Sequence, residues 1–178
     1  DSSHQLRQRL AWMHQQVGAP WPDRDLTTLL EQADTWLGPS LEGCLAWSDI
    51  SATALEEALW GDLDWSFRQQ LDGLLPRRIP IPSGRQAALR YTADEVILAV
   101  KLQEMFGSDD GPHVLNGRIP VTLELLSPAG RPLQRTRDLK GFWQGSYREV
   151  RREMRGRYPK HPWPCLLYTS DAADDLLC

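Results

Sequence analysis

Residues 138–164 read DLKGFWQGSYREVRREMRGRYPKHPWP, and this stretch sets how the rest of the chain is read. Asp138 is placed to cap a helix, because its carboxylate accepts backbone N–H groups that a first turn leaves unpaired. Leu139, Phe142, Trp143, Tyr147, Val150 and Met154 then recur at three- and four-residue spacing, which predicts one helix with one apolar stripe. Arg148, Arg151, Arg152 and Arg155 fall mainly on the other side. Gly156 is placed to end the helix in a left-handed conformation, and Pro159 keeps it from resuming. YPKHPWP, which follows, is stiff because three prolines fix φ and remove donors.

Charge is spread unevenly around this element. The 178 residues carry a net charge of −4, but residues 1–76 hold four Arg against twelve acids. Residues 77–130 balance, and from Arg131 to Pro164 ten Lys and Arg face three acids. The basic residues are Arg131, Arg135, Arg137, Lys140, Arg148, Arg151, Arg152, Arg155, Arg157 and Lys160. Two readings of the surplus stay open. The side chains neutralise phosphates in a salt-dependent way. Alternatively they form a solvated face, with Glu149 and Glu153 as intrahelical partners, or dock on an acidic surface such as residues 1–76.

Outward from that stretch, residues 1–76 read as a helical subdomain of about four short helices. Ser3 is placed to cap the first, with Leu6, Leu10, Met13 and Val17 on one face and Gly18 at its end. Pro22, Asp23 and Asp25 open a second carrying Leu26, Leu29, Leu30, Ala33 and Leu37, closed by Gly38-Pro39. Thr53 and Glu56 suggest a capping box for a third, and Asp64 starts a fourth through Phe67, Leu71 and Leu74. At Arg77 the pattern changes. Pro80 and Pro82 remove donors from one side of Ile79–Pro82, which makes it an edge strand or its lead-in. Ser83-Gly84 turns into a second strand candidate, Gln86–Tyr91. Asp94 is placed to cap a helix with Ile97, Leu98, Leu102, Met105 and Phe106 inward, although the β-branched Val96-Ile97 makes a strand a close competitor. Asn116-Gly117, between His113-Val114-Leu115 and a run from Arg118 to Leu126, is a strong hairpin signal. Leu133–Arg137 is placed to return antiparallel to that run. Residues 77–164 therefore read as a small unit of β-hairpins packed on two helices, and the whole as α+β. Residues 165–178, CLLYTSDAADDLLC, share none of this pattern and read as a non-native tail.

Composition bounds the function. With 41% hydrophobic and 25% charged residues the chain is of globular type. No apolar run is long enough to span a bilayer, so no membrane partner is expected, and DSSHQLRQRL holds no signal-peptide core. Three Cys without paired spacing are not a disulfide framework and point to a reducing compartment. No glycine-rich string with Lys and Ser or Thr exists to cradle phosphates, so nucleotide hydrolysis is not expected of this chain. His4, His14, His113 and His161 are scattered, and Asp109-Asp110 lacks the rest of a calcium loop, so no metal is expected. Cys44 reads as a small buried hydrophobe rather than a nucleophile. Eight Trp invite base stacking, but Trp36, Trp60, Trp65 and Trp143 sit where core or rim packing explains them. No catalytic residue is expected.

LAVKLQEMFG (98–107), NGRIPVTLELLSPAGRPLQRTRDLKGFWQGSY (116–147) and EVRREMRGRYPKHPWP (149–164) closely resemble the C-terminal region of HrpB-type ATP-dependent RNA helicases, bacterial relatives of the DEAH/RHA helicases. IPIPSGR (79–85) and WPDRDLTTLLEQADTWLGPSL (21–41) resemble the segment before it. The resemblance covers nearly all of 1–164, with 1–76 and 77–164 as its two parts, and ends before 165–178. It implies a piece of a longer cytoplasmic enzyme, which the absence of an initiator Met fits. The motor domains, with their ATP and Mg²⁺, would lie upstream, and none of the present residues matches a helicase motif. It further implies two partners, the upstream helicase core of the same polypeptide and RNA or single-stranded nucleic acid. A stand-alone protein-interaction module with no nucleic-acid role is the competing expectation, and an independent enzyme a distant third.

Overall fold

A computed structural model describes residues 2–165; the reading of 165–178 as a tail falls outside them apart from Cys165. The architecture is α+β, in two compact units. One comprises Asp1–Pro76 with Tyr91–Asp94, the other Arg77–Arg90 and the chain from Glu95 on.

The first unit is helical: α1 (Ser2–Val17), α2 (Leu26–Glu31), α3 (Ala33–Trp36), α4 (Ala52–Trp60) and α5 (Trp65–Leu74). Leu6, Leu10 and Met13 of α1 are buried as their spacing requires, while Val17 is half exposed. The second expected helix is two pieces, and of its five proposed apolar residues only Leu29 is buried. Leu26 and Leu30 face water. A continuous helix would bring the amide of Ala33 to the carbonyl of Leu29, but the Trp36 indole Nε1 donates to that oxygen at 2.8 Å and the ladder stops there. Asp25 and Asp64 cap α2 and α5, accepting from the amides of Thr27 and Ser66. The cap of α4 is Ser51, not a Thr53–Glu56 box: its hydroxyl accepts from the Ala54 amide at 3.0 Å. Arg68 on α5 grips Glu57 on α4 through both Nη groups, at 2.8 and 2.5 Å.

Two further ties complete this unit. The Gln5 side chain bonds both backbone groups of Tyr91, at 2.7 and 3.1 Å, and the Trp12 indole donates to the carbonyl of Thr92. Arg9, 1% exposed, donates from Nε to the carbonyl of Leu75 and from Nη2 to Asp72.

The second unit is built on a five-stranded sheet and a separate two-stranded one. Its elements are β1 (Arg78–Pro80), β2 (Gln86–Tyr91), β3 (Val96–Lys101), β4 (His113–Val114), β5 (Ile119–Pro120), β6 (Thr122–Leu126), β7 (Pro132–Thr136), α6 (Leu139–Gln144) and α7 (Tyr147–Arg157). The large sheet has the order β1-β2-β3-β6-β7, so the proline-marked β1 is an edge, as expected. β4 and β5 pair antiparallel around Asn116-Gly117, whose positive φ values of 53° and 83° match the turn that this dipeptide favours.

Three expectations are corrected here. Residues 96–101 form a strand rather than a helix, followed by a 3₁₀ turn over Leu102–Met105. β3 lies between β2 and β6, pairing parallel with β6 from Ile97↔Thr122 to Lys101↔Leu126, and Val96, Ile97, Leu98 and Val100 are all buried. A central strand in a parallel pair takes a continuous apolar run rather than an alternating one, and β-branched residues suit it. Second, the run from Arg118 to Leu126 divides at Val121, whose amide donates to the carbonyl of Pro112. Third, the single helix expected after Asp138 is two, broken at Gly145-Ser146, with Gly145 at φ −114° and ψ −91°. Gly156 lies inside α7, which runs to Arg157. Asp138 caps α6 as expected, accepting from the Gly141 amide at 2.8 Å. A Cβ on Gly141 would fall 2.1 Å from the Asp138 carboxylate, so a larger residue there would have to displace the carboxylate from its present position.

Candidate nucleic-acid interface

The ten basic residues named above fall into three groups. Arg135 and Arg137 lie on and just beyond β7, on a charged face of the sheet. Arg135 reaches Glu95 at 2.5 Å and Glu124 at 3.5 Å. Arg137 lies 3.5 Å from Glu95, and its Nε donates to the Thr122 hydroxyl at 3.0 Å. Arg90 of β2 meets Glu124 of β6 at 3.3 Å although β3 lies between them. The residue of β3 in register with Glu124 is Ala99, whose methyl group leaves that crossing open. Two acids thus share three arginines.

Glu95 sits in the middle of this network, and its pKa is lowered. The Thr122 hydroxyl donates to it, the Arg135 guanidinium donates to it, and the charges of Arg135 and Arg137 add to the effect. A carboxylate with a lowered folded-state pKa contributes stability that is present above its unfolded value and is lost as pH falls through the folded one. Glu95→Gln is therefore expected to cost about 1 kcal/mol at neutral pH, as a partly exposed ion-pair network should. Thermal melts of the two proteins at pH 7, 5 and 3 should converge as pH drops below the ordinary Glu value of 4.5. A difference that stays constant to pH 3 would show that the charge of Glu95 is not what matters.

The second group lies on α7 and is engaged there. The sequence placed Arg151 with Arg148, Arg152 and Arg155. The structure separates it: Arg151 is half-buried, and its Nε donates to the carbonyl of Trp163 at 2.7 Å. Arg157 pairs with Glu153 one turn earlier, at 3.1 Å.

The third group is exposed and has no acid partner among the described residues: Arg131, Lys140, Arg148, Arg152, Arg155 and Lys160. Arg148, Arg152 and Arg155 stand at i, i+4 and i+7 of α7, one stripe beside the buried Tyr147 and Met154. Glu149 is no more their partner than Glu153 is; no ion pair joins it to any of the three.

The support beneath this stripe is what the sequence reading missed. YPKHPWP is not merely stiff; it folds back on α7. Trp163 is 5% exposed and its indole donates to the carbonyl of Tyr158, while the Tyr147 hydroxyl donates to the carbonyl of Pro164. Phe106, Phe142, Trp143, Tyr147 and Trp163 form one aromatic cluster, with ring centroids 5.1 to 6.3 Å apart. The available signal was Trp163 itself, a large apolar group in a polar proline-rich segment. Elsewhere, Trp60 and Trp143 are buried, Trp36 is half-buried, and Trp65 is exposed, against the packing role expected of it.

Among the described residues no three His, Cys, Asp or Glu side chains come together as a metal site. Nor, among the described residues, does a glycine-rich turn present backbone amides beside a lysine, so these residues do not fit ATP or Mg²⁺. Among the described residues no helix is long and apolar enough to cross a membrane.

Comparison with known proteins fits this fold to a helicase family. The family model described as "ATP-dependent helicase C-terminal", HrpB_C, matches residues 36–165. The ATP-dependent RNA helicase HrpB of Escherichia coli (strain K12) is 49% identical over 145 residues, which is 81% of this chain and 18% of that protein. A crystal structure of the E. coli DExH-box NTPase HrpB superposes with a TM-score of 0.82 at 45% identity, covering 94% of this chain and 21% of that one. A second, of the E. coli DEAH/RHA helicase HrpB, gives 0.68 at 44% identity, covering 90% and 20%. The chain spans about a fifth of the length of these relatives. It belongs to the HrpB_C family, the C-terminal region of HrpB-type ATP-dependent helicases.

Proposed function

We propose that this chain is the nucleic-acid-facing C-terminal region of a cytoplasmic ATP-dependent RNA helicase. In this reading the motor that binds ATP and Mg²⁺ lies elsewhere in the same polypeptide. Residues 1–76 and 77–164 are its two parts, and the α7 stripe contacts the strand the motor moves. The observation that carries the proposal is the split among the basic residues. Arg135, Arg137, Arg151 and Arg157 are engaged by other groups of the protein, whereas Arg148, Arg152 and Arg155, with no acid partner among the described residues, present their guanidinium groups in a row on a firmly packed helix. Arginine is suited to this role because its planar fork stays charged and matches phosphate geometry. Lys140 and Lys160 add positive charge, but not from α7 itself.

Affinity for a single-stranded RNA oligonucleotide should fall with salt, by about 0.7 in log K per log unit of salt for each phosphate neutralised, hence a slope near −2 for three contacts. Arg148→Glu, Arg152→Glu and Arg155→Glu together should remove binding at low salt, while the far-UV circular dichroism stays that of the parent. The same triple change at Arg135, Arg137 and Arg157 should weaken binding much less. Unchanged binding in the first variant would overturn the proposal and favour docking of this face on the motor.

A further inference from the structure

The first unit contains a cleft of about 740 Å³ that the nucleic-acid reading does not use. Trp36, Trp60 and Phe67 line it with three prolines, and Arg24 lines it too. Arg24 is only 8% exposed. Its Nε donates to the carbonyl of Leu59 at 2.8 Å, in the last turn of α4, and a structural capping role accounts for that nitrogen. The two Nη groups are not accounted for in this way.

No carboxylate lies within ion-pair distance of Arg24 among the described residues. The neighbouring Asp23 is turned to other donors, accepting from the Asp25 amide and the Thr28 hydroxyl, both at 2.9 Å. Neither Nη has a hydrogen-bond partner among those residues. Yet no fully buried side-chain nitrogen or oxygen there is left unsatisfied, so neither Nη group is fully buried, and the cleft is what Arg24 lines. Gly61, also in the wall, holds the space beside them. It has φ +58°, and a Cβ on it would stand 3.0 Å from Nη2. A nearly buried guanidinium with two free donors, set among flat rings, is a recognition site for an anion.

The surrounding charge selects which anion. Of the acids in the wall, Glu57 is gripped by Arg68, whose guanidinium also sits 5.0 Å from the Trp60 ring centre, while Asp62 has no cationic partner among the described residues and repels an anion. Residues 1–76 carry eight more acids than bases. One arginine in such a field favours a singly charged group over a phosphate dianion. We infer that the cleft binds an organic carboxylate carried on a flat apolar group. The carboxylate lies on the two Nη groups of Arg24, and the flat group lies against Trp36, Trp60 and Phe67.

Benzoate is the probe, titrated into the 178-residue chain while the indole N–H resonances of Trp36 and Trp60 are followed by NMR. Benzyl alcohol supplies the ring without the charge, acetate the charge without the ring, and inorganic phosphate the competing anion. Saturable shifts of both indoles are expected with benzoate in the millimolar range, and at least tenfold weaker binding with each of the other three. Arg24→Gln should weaken benzoate at least tenfold. Because that change also removes the bond to Leu59, Thr35→Trp, which fills the cleft and leaves Arg24 in place, should abolish the shifts independently. Equal affinity for benzoate and benzyl alcohol, tighter binding of phosphate, or no shift with benzoate in the parent protein would each overturn the inference.

Discussion

Trp163→Ala is expected to lower the stability of the second unit by about 3–5 kcal/mol, the range for truncating a fully packed tryptophan. Its ring is nearly buried and meets Phe106 edge to face at 6.3 Å. Its indole holds the carbonyl of Tyr158 at 3.0 Å, which the cavity cost does not include. With the ring gone, HPWP loses its apolar hold on α7, and the Arg151–Trp163 and Tyr147–Pro164 bonds that still tie it there are opened to competition from water. Urea unfolding followed by far-UV circular dichroism should show the midpoint falling. Amide exchange should quicken along 147–157 more than along 122–126. Trp163→Phe keeps a ring but loses the indole donor, and should recover more than half of the loss. A cost below about 1 kcal/mol for the alanine variant would mean that the aromatic cluster does not depend on this ring.

Arg9→Met should cost the first unit about 2–4 kcal/mol, as loss of two charge-assisted hydrogen bonds at a buried site implies. The asymmetry of the pair sets the sign. Asp72 is 65% exposed, so removing Arg9 strands no carboxylate in the interior. What is lost is the 2.7 Å bond to the Leu75 carbonyl at the end of α5, which is then left without this donor. Methionine fills much of the volume and supplies no donor. Arg9→Lys keeps the charge but cannot serve a carbonyl and a carboxylate with one planar fork, and should recover little of the stability. Thermal melts of the three proteins at neutral pH test this, and full rescue by lysine would show that charge alone is required.

What could be read from the residues is what local chemistry decides. Asp25, Asp64 and Asp138 stand where helices begin because a carboxylate there has amides to accept from, whatever surrounds it. Asn116-Gly117 turns the chain for an equally local reason, as do the prolines that leave β1 at an edge. Val96–Lys101 could not be read this way. Its side chains suit a buried helix or a buried strand, and the choice is made by β6, a parallel partner more than twenty residues away. The division of basic residues is non-local for the same reason. Arg135 looks as free in sequence as Arg152, but Glu95, forty residues before it, neutralises the first and no acid among the described residues neutralises the second. Trp163 shows the intermediate case, since its need for burial was legible while its resting place was not.

The allotment of Tyr91–Asp94 to the helical unit has a consequence for how the chain can be divided. Each unit is spliced into the other along the chain, for the helical one stops at Pro76 and is completed only by the four residues after Arg90. A breakpoint at residue 76 would leave Gln5 and Trp12 without the backbone they bind. One at residue 94 would carry β1 and β2 away from the rest of their sheet. No single breakpoint between residues 76 and 94 therefore leaves both units whole, and neither can be lifted out of the chain by one cut.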